Sequence, residues 1–418
     1  AAPAGSTALS SGFIPAAHTR FQRGKGIADS PERFASDIQR KNHGEADPRL
    51  VEAICRASGP TIEWLADRHG IEFVLLEGFV YPGHSALRMH AVPGKTGAAL
   101  MAALQRACAA AGVDLLASGR VTTLYAGTGR RVRGVELERP DRAVEAVGCD
   151  ALVLACSGFG GNPEMVAQHI PEIASARYFG HAGNQGDALR WGTALGAAVK
   201  DLTAYQGHGS VATPHGILIT WAVVMEGRIQ VNAQGRRFSN EHAGYSEQCL
   251  PVLEQPGGVA WTVHDERLHR LGLEFEDYRQ AHSLGAIRRG ETIAALAAAC
   301  GLPAAGLETT LAEAERCAAG ETHDPFGRDF TTKPKLAPPY YGVKVTGALF
   351  HTQGGLVVDE HGWVLDSRGV PLPNLFAGGG AARGISGAHV WGYLSGNGLL
   401  SAVVLGRLAG QSATTLAR

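Results

Sequence analysis

Hydrophobic positions in the first part of the chain recur at helical spacing, interrupted by short polar or glycine-containing segments. Within 47–69, Leu50, Ile54 and Ile62 fall on one face of a helix. Ser30 and Asp47 each stand directly before a proline, as at a capped helix start. The pattern therefore predicts a loop over 1–13, helices over 30–41, 47–69 and 96–111, and a strand over 113–116.

The middle of the chain shows strand-like alternation. Residues 121–137 predict a hairpin with a glycine-containing turn, and CDALVLACSGFGG (149–161) predicts a buried strand that runs into a glycine turn. A strand that ends in small residues commonly lies beside a nucleotide. The alternation of helices with strands indicates the α/β fold class.

Residues 205–345 differ in character from the rest of the chain, because they are richer in His, Tyr and Trp. They predict a charged helical region over 265–289 and an alanine-rich helix pair over 291–319. We interpret this segment as a separate, inserted lobe. Short strands and turns follow it, and 395–410 predicts a closing apolar helix.

Composition narrows the class of protein. The chain has 418 residues, enough for two or three lobes, and its 45% hydrophobic and 18% charged residues favour a folded globular protein. Lys and Arg number 38 against 39 Asp and Glu, so net charge gives no attraction to nucleic acid or an anionic membrane. The longest apolar stretch, 217–225, is far shorter than the roughly 20 residues of a membrane span. We expect a small-molecule partner.

The cysteines indicate the cellular compartment of the protein, and the glycines indicate the kind of ligand that it binds. The seven cysteines are scattered, without a spacing that suits zinc, and predict reduced thiols in a cytoplasmic protein with no metal site. The 56 glycines cluster in segments such as GFGG, GGLVV and AGGGAARGISG. Because glycine lets the backbone turn sharply or approach a ligand closely, these clusters indicate a phosphate-rich or planar cofactor.

Four segments, taken together, carry a family resemblance: GSTALSSG (5–12), VNAQGRRFSNE (231–241), HTQGG (351–355) and LFAGGGAARGISGAHVWGYLSGNGLLSAVVLGRLAG (375–410). Their order and spacing resemble the FAD-dependent oxidoreductases of the fumarate reductase and succinate dehydrogenase flavoprotein superfamily. Within it, the motifs are most similar to those of the 3-ketosteroid 4-ene dehydrogenases.

The resemblance implies an α/β fold with a Rossmann-like FAD-binding domain and an inserted α+β capping domain. The FAD-binding domain would comprise 1–204 and 346–418, and the substrate-capping domain 205–345. In the family a βαβ unit with GxGxxG precedes the first segment and holds the FAD pyrophosphate. The sequence shows no such unit, so we expect FAD in the intact protein and weak FAD binding in a chain that starts at Ala1.

The resemblance also implies a set of cofactor-binding residues. The first segment would line the flavin and pyrophosphate, a strand backbone would meet the adenine, and the start of the last helix would meet the flavin pyrimidine ring. A helix N-terminus has free N–H donors and partial positive charge, which stabilise an anionic reduced flavin. The implied residues are Gly5, Ser6, Thr7, Val121, Ser157, Gly158, Gly379, Gly380, Ser395, Gly396, Gly398, Leu399 and Leu400.

Substrate-binding positions depart partly from the fumarate-type pattern. His208 and His351 match two substrate-side histidines of the family, and Thr220 matches the Thr of a Thr-Glu pair whose Glu is replaced by Trp221. Val390 stands where the family has an Arg that clamps a carboxylate, and Tyr245 where it has an Arg that delivers a proton. The loss of two guanidinium groups favours an apolar or carbonyl-bearing substrate over a dicarboxylate.

A catalytic tyrosine is the second implication of the resemblance. Tyr393-Leu394-Ser395 matches the Tyr-x-Ser of the ketosteroid dehydrogenases. By this match Tyr393 is the base, Ser395 relays the proton and Tyr245 assists. A free tyrosine has a pKa of about 10, so the role requires nearby donors or a positive dipole. Each tyrosine or histidine in these sets can instead be a packing residue with a satisfied polar group.

The sequence therefore predicts an FAD-dependent dehydrogenase of a CH–CH bond next to a carbonyl, with hydride passing to flavin N5 and the proton to tyrosine, or the reverse reduction. One alternative is a fumarate-type reductase of an unsaturated carboxylate that uses His208, His351 and Thr220. Another is a non-catalytic homologue or fragment. The electron acceptor and the oligomeric state stay open.

Overall fold

The helices and strands are those of a computed structural model that describes residues 5–78 and 80–416. Residues 1–4 of the predicted opening loop lie outside the described residues. The helices within that range are α1 (Arg20–Arg23), α2 (Pro31–Lys41), α3 (Pro48–His69), α4 (Gly97–Ala110), α5 (Pro163–His169), α6 (Asp187–Ala194), α7 (Ala222–Met225), α8 (Cys249–Leu253), α9 (Glu266–Gly272), α10 (Glu276–Ser283), α11 (Ile293–Cys300), α12 (Ala304–Ala318) and α13 (Asn397–Ala413). The strands are β1 (Ile14–Pro15), β2 (Val74–Leu75), β3 (Met89–Ala91), β4 (Arg120–Ala126), β5 (Val132–Glu138), β6 (Val144–Gly148), β7 (Leu152–Leu154), β8 (Arg177–Tyr178), β9 (Val199–Lys200), β10 (Tyr205–Ala212), β11 (Ile217–Leu218), β12 (Ile229–Val231), β13 (Val259–Asp265), β14 (Ile287–Gly290), β15 (Tyr340–Thr352), β16 (Gly355–Leu356), β17 (Trp363–Leu365) and β18 (Pro371–Ala377).

The chain divides into two units. The first unit comprises Ala1–Ala174, Phe179–Gln206 and His351–Arg418, and the second comprises Ser175–Tyr178 and Gly207–Phe350. The domain limits at 205 and 345, with the roles attached to each domain, stay a prediction.

Local capping determines where the long helices of the first unit begin. The Ser30 hydroxyl accepts a hydrogen bond from the Arg33 N–H, and the Asp47 carboxylate accepts one from the Arg49 N–H. α3 ends at Gly70, whose φ of 65° is the left-handed conformation that favours glycine. The helices predicted at 30–41, 47–69 and 96–111 are thus confirmed to within a residue or two. The apolar faces of α3 and α4 form one core with the end of the chain: Ile14, Ile62, Leu65, Phe73, Val92, Leu100, Ala103 and Ala107, with Leu399 and Val403 packed against them.

Two parallel strands of the first unit end side by side. β7 pairs with β18, with Leu152 opposite Leu375 and Leu154 opposite Ala377. Both strands then run into glycine turns, at 155–161 and 378–380. Because parallel strands place their carboxyl ends at one edge of a sheet, the two turns meet there, where α/β proteins bind ligands.

The hairpin predicted over 121–137 is confirmed. β4 and β5 pair antiparallel, with Val121 opposite Leu137, and the turn between them contains Gly129 at a φ of 71°. β6 adds a third strand to this sheet.

A mixed sheet of seven strands forms the frame of the second unit. Its strand order is β11-β10-β15-β13-β12, and β14 and β8 also pair with β15. Successive residues of β13 point to opposite faces, so Ala260 and Val263 belong to two different core clusters. α11 and α12 confirm the predicted alanine-rich helix pair, and α9 and α10 confirm the charged helical region, of which the last residues form β14 instead.

Three element predictions need correction. Residues 113–116 form no strand, and Val113, Leu115 and Leu116 are exposed, because no strand pairs with them in the described part of the chain. The strand predicted within 149–161, over 151–156, is limited to β7, since only 152–154 pair with β18. Within the predicted opening loop, Ser6–Leu9 form one turn of 3-10 helix. None of the helices in 5–78 and 80–416 has the length and apolar character of a membrane span.

Candidate functional site

The two glycine turns at the ends of β7 and β18 touch each other. A Cβ added at Gly380 would lie 2.9 Å from the Gly158 nitrogen and 3.0 Å from the Ser157 Oγ, and one at Gly158 would lie 1.9 Å from the Thr352 Oγ1. Ser157 and Gly379 both adopt positive φ, at 63° and 59°. The structure thus brings together four predicted cofactor residues. A side chain at Gly380 would meet the other turn, and one at Gly158 would meet Thr352, which explains why both are glycine.

The segment Gly5 to Thr7 is anchored to the same unit. The Ser6 hydroxyl accepts hydrogen bonds from the His181 N–H and the Asn184 side-chain amide, both at 2.9 Å. A Cβ at Gly97, the first residue of α4, would lie 1.7 Å from the Thr7 carbonyl oxygen. A Cβ at Gly5 would meet no atom of residues 5–78 and 80–416 within 4 Å. The segment is therefore anchored through Ser6 and Thr7, and the described residues leave room for a ligand atom at Gly5.

Val121 belongs to a different sheet from these turns. It lies in β4, opposite Leu137, and the sheet of β4, β5 and β6 contains neither β7 nor β18. Its predicted contact with adenine stays a prediction.

The last helix starts two residues later than Ser395, at Asn397. Gly396 is its N-cap with a φ of 87°, and no side chain caps the first turn. Within this start of the helix, the Asn397 N–H donates to the Leu394 carbonyl oxygen at 3.0 Å and the Gly398 N–H to the Tyr393 hydroxyl oxygen at 3.4 Å. Leu400 is buried and Leu399 packs on the core of the first unit, so both contribute to seating the helix.

Tyr393 and His351 lie together at the start of this helix. The Gly398 N–H donates to the Tyr393 hydroxyl oxygen at 3.4 Å, and the His351 and Tyr393 rings meet edge to face at 5.6 Å. The Gln353 side chain is 2.7 Å from the His351 Nδ1. Burial lowers the pKa of His351 to about 4, so the ring is neutral near pH 7. A backbone donor at a helix N-terminus favours negative charge on the tyrosine oxygen.

The loop before Tyr393 is fixed by charged and aromatic contacts. Arg383 pairs with Asp201 at 2.5 Å, so the charge of its guanidinium group is offset by a carboxylate of the protein. Trp391 stacks on His43 at 4.3 Å. Val390 is half-buried in a short 3-10 turn, Val390–Gly392.

In the second unit, His208 is enclosed by aromatic rings. It stacks on Tyr245 and on Phe350, with ring centroids 5.0 Å apart in both pairs, and meets Trp221 edge to face at 5.5 Å. Burial lowers the pKa of His208 to about 3. The Thr220 hydroxyl oxygen accepts the Ala222 N–H at 3.4 Å. His208 and Trp221, predicted for the substrate, and Tyr245, predicted as catalytic, thus form one neutral, aromatic cluster with Phe350.

Trp221 supplies an unused donor in that cluster. Its side chain is buried, and its Nε1–H has no hydrogen-bond partner among the described residues. A buried N–H without an acceptor is costly, and a carbonyl-bearing ligand would satisfy it.

Sequence reasoning missed a buried polar group in the first unit. The Arg88 side chain is fully buried between Asp29 and Asp37, and His84 lies 2.9 Å from the Ser395 carbonyl oxygen. The one sequence signal was Asp37, which shares the apolar face of α2 with Phe34 and Ile38, since an acidic residue on such a face needs a cation. No group of three or more His, Cys, Asp or Glu side chains in the described residues is arranged to hold a metal ion.

Acid should destabilise the protein through His208. Its pKa is about 3 in the folded state against 6.5 for a free histidine, so the unfolded chain binds the extra proton between these values. The contribution of neutral His208 to the free energy of unfolding is therefore fully present above pH 6.5 and is lost as the pH decreases towards 3. Between pH 6.5 and about 4.5 the free energy of unfolding should fall less in His208→Gln than in the wild type, by up to about 2 kcal/mol. Urea unfolding at a series of pH values measures this, and equal slopes for the two proteins would contradict it.

The chain is similar in sequence to a known protein family and to characterised flavoproteins. A family model described as FAD binding domain matches residues 1–399. The probable fumarate reductase Ifc3 of Shewanella frigidimarina is 28% identical over 412 residues, which cover 98% of this chain and 68% of that protein.

Two solved structures extend the comparison to the fold. The open conformation of a flavocytochrome c3 fumarate reductase matches with a TM-score of 0.80 and 28% identity, over 99% of this chain and 72% of that one. The 3-ketosteroid-delta4-(5alpha)-dehydrogenase of Rhodococcus jostii, solved in complex with 4-androstene-3,17-dione, matches with a TM-score of 0.74 and 25% identity, over 98% of this chain and 89% of that one. These likenesses confirm the predicted fold class, an α/β FAD-binding domain with an inserted capping domain.

Proposed function

Because this chain belongs to the FAD binding domain family of flavoproteins, we propose that it is a dehydrogenase of a CH–CH bond next to a carbonyl group, or catalyses the reverse reduction. Family membership confirms the predicted superfamily and the predicted cofactor, FAD. Oxidoreduction of carbon–carbon bonds by a flavin enzyme is the general activity of these relatives. The choice of substrate is the part that we propose.

The residues present fit FAD. The first turn of α13 has no side-chain cap, and the buried Asn397 Oδ1 has no hydrogen-bond partner among the described residues. Donors and an acceptor side by side suit the polar edge of a flavin ring. No described residue fills the space that a Cβ at Gly5 would occupy, and the Ser157–Gly158 turn lies against Gly380. In our proposal these segments hold the cofactor, as the sequence predicted.

The chemistry that bound FAD supplies is two-electron transfer, by accepting a hydride at N5 or returning it. The chain must move the accompanying proton, and Tyr393 is our candidate base. Its buried hydroxyl oxygen already accepts the Gly398 N–H from the start of α13, which stabilises the deprotonated form. Ser395, two residues on, would pass that proton towards solvent.

The observation that carries the choice of substrate is the neutral aromatic cluster of the second unit. His208 is held uncharged between Tyr245 and Phe350, and the Trp221 N–H is an unused donor. A dicarboxylate requires cations to offset its desolvation, whereas a flat ketone requires apolar faces and one donor. Tyr245 and Val390 stand where fumarate-type relatives would have arginines. A steroid-like ketone is therefore the substrate class that we propose.

A fumarate-type reductase is the second candidate. His208, His351 and Thr220 keep the residue types of that group, and the Shewanella relative is named a fumarate reductase. A non-catalytic homologue is the third candidate. It is tested by colour, since protein that is colourless after incubation with FAD and removal of unbound FAD would favour it. A cytoplasmic location and an unidentified electron acceptor complete the proposal.

Substrate oxidation is tested most directly by anaerobic bleaching of the flavin. FAD-loaded protein is mixed with a saturated 3-ketosteroid, and absorbance of the oxidised flavin is followed. We expect bleaching by the ketone and no reoxidation of dye-reduced enzyme by fumarate or urocanate. Reoxidation by these acids, with no response to the ketone, would overturn the tyrosine mechanism and support the second candidate.

A further inference from the structure

The carbonyl oxygen of Ser395 lies within hydrogen-bond distance of a side chain from a distant part of the sequence. His84 Nε2 lies 2.9 Å from the Ser395 carbonyl oxygen, although the two residues are far apart in the sequence. Both residues are buried. This contact fixes one atom of the peptide that joins Ser395 to Gly396, immediately before α13.

The hydrogen on His84 can be assigned from its two neighbours. The Arg88 Nη1 lies 3.3 Å from the His84 Nδ1, and a guanidinium group only donates. The Nδ1 must therefore accept, which leaves the proton on Nε2, facing a carbonyl that only accepts. Burial lowers the pKa of His84 to about 4, so the ring is neutral and keeps this tautomer near pH 7.

Arg88 is itself held by two carboxylates. Its Nε and Nη2 each donate to Asp29 at 2.8 Å, and its Nη1 donates to Asp37 at 2.5 Å. Burial raises the pKa of Asp37, but hydrogen bonds from Arg88 and Ser85 outweigh it and hold the pKa at about 2. The Asp37 carboxylate therefore stays ionised near pH 7, and Arg88, held by both aspartates, presents a fixed donor to His84.

The peptide that His84 holds has no local reason to keep its orientation. Gly396 adopts a φ of 87°, and a glycine accepts the opposite sign as readily, so the Ser395–Gly396 peptide could rotate without strain. A Cβ at Gly396 would lie 2.5 Å from the Pro15 Cδ, so a side chain that restricted this backbone would also clash with Pro15. The hydrogen bond from His84 is what selects one orientation.

That orientation determines where the Gly396 N–H points. The Ser395–Gly396 bond is trans, and in a trans peptide the C=O and N–H point in opposite directions. With the carbonyl directed at His84, the Gly396 N–H is directed away from His84. Gly396 is one of the residues that we propose to hold FAD.

We infer that His84 is a positioning residue: it aims the Gly396 N–H at the flavin by holding the Ser395 carbonyl, and Arg88 with Asp29 and Asp37 sets its tautomer. The inference rests on the proposed function only in assigning the start of α13 to FAD. Loss of the contact lets the peptide turn, so that FAD loses one donor and its anionic reduced form loses more than its oxidised form.

Two variants that both carry a side-chain amide, but differ in side-chain length, test this inference. In His84→Gln the amide reaches the position of Nε2 and can donate to Ser395, while its oxygen accepts from Arg88. In His84→Asn the amide is one methylene shorter and does not reach Ser395. We expect the FAD dissociation constant to rise about tenfold in His84→Asn and to stay within about twofold of wild type in His84→Gln. The flavin midpoint potential should become more negative in His84→Asn alone.

His90 provides a matched control. It is buried in the same unit, and its Nδ1 lies 2.7 Å from a main-chain carbonyl, that of Arg88. His90→Asn and His90→Gln should bind FAD equally, with an unchanged potential. If His84→Asn does not fold, His84→Leu takes its place, because leucine cannot donate to Ser395. A folded His84→Leu that loses as much FAD affinity as His84→Gln would then decide against the inference.

Equal affinity and potential in His84→Asn and His84→Gln would overturn the inference. This result is distinct from failure of the proposed function, because neither measurement uses a substrate. Turnover of fumarate with a difference between the two variants would reject the ketone proposal and leave the role of His84 in place.

Discussion

Replacement of Tyr393 by phenylalanine is expected to slow flavin reduction by a ketone substrate by about 100-fold to 10,000-fold, the range for loss of a general base. The aromatic ring and its edge contact with His351 remain, so the pocket should keep its shape. The Gly398 N–H loses only a long contact of 3.4 Å, so FAD affinity should change little. Stopped-flow absorbance under anaerobic conditions measures the rate of the chemical step.

The pattern across kinetic constants distinguishes a base from a packing residue. A base acts in the transition state, so kcat should fall while KM stays within a few-fold. Tyr125→Phe is a matched control, because that tyrosine is exposed on β4 and donates to Glu136. A Tyr393→Phe enzyme that reduces its flavin at close to the wild-type rate would remove Tyr393 from the mechanism and leave Tyr245 as the candidate.

Glu241→Gln is expected to cost about 3 to 5 kcal/mol of stability, the range for breaking a buried ion pair from one side. The Glu241 carboxylate pairs with Arg237 at 2.9 Å and with Arg328 at 3.1 Å, and all three side chains are buried. Removing its charge leaves Arg328 without a carboxylate partner among the described residues. Urea unfolding of the two proteins measures the difference.

The same substitution should change the response to acid. Burial raises the pKa of Glu241, but Arg328 and Arg237 outweigh it and bring the pKa to about 2, from 4.5. Its contribution is thus present above pH 4.5 and is lost as the pH falls towards 2, and Glu241→Gln should lack this loss. Glu313→Gln removes an exposed pair with Arg236 and should cost less than about 1 kcal/mol. Equal effects of the two substitutions would contradict a structural role for Glu241.

The ion pairs also show what the segment VNAQGRRFSNE contributes. It was one of four segments that indicated the family. Its Glu241 pairs with Arg237 of the same segment and with Arg328. These residues stabilise the second unit, while the chemistry that we propose involves others. A motif can therefore identify a family through its structural residues.

The elements that the sequence determined by itself are those with local causes. Ser30 and Asp47 cap helices through N–H groups two or three residues away, and Gly129 and Gly70 adopt conformations that favour glycine. The helices, the hairpin over 121–137 and the glycine turns after β7 and β18 follow from such signals. The family, and with it FAD, followed from motifs that are continuous in the sequence.

Only the tertiary structure decided which distant side chains meet. His84 reaches Ser395 across 311 positions, and His208 meets Phe350 through the pairing of β10 with β15. Residues 113–116 show the reverse case, since their apolar run suits a strand but no strand pairs with them in the described chain. Hydrogen bonds between strands, burial of a charge and the tautomer of a histidine all depend on the partner that packing supplies. Sequence periodicity determines which face a residue occupies, and the folded core determines what that face touches.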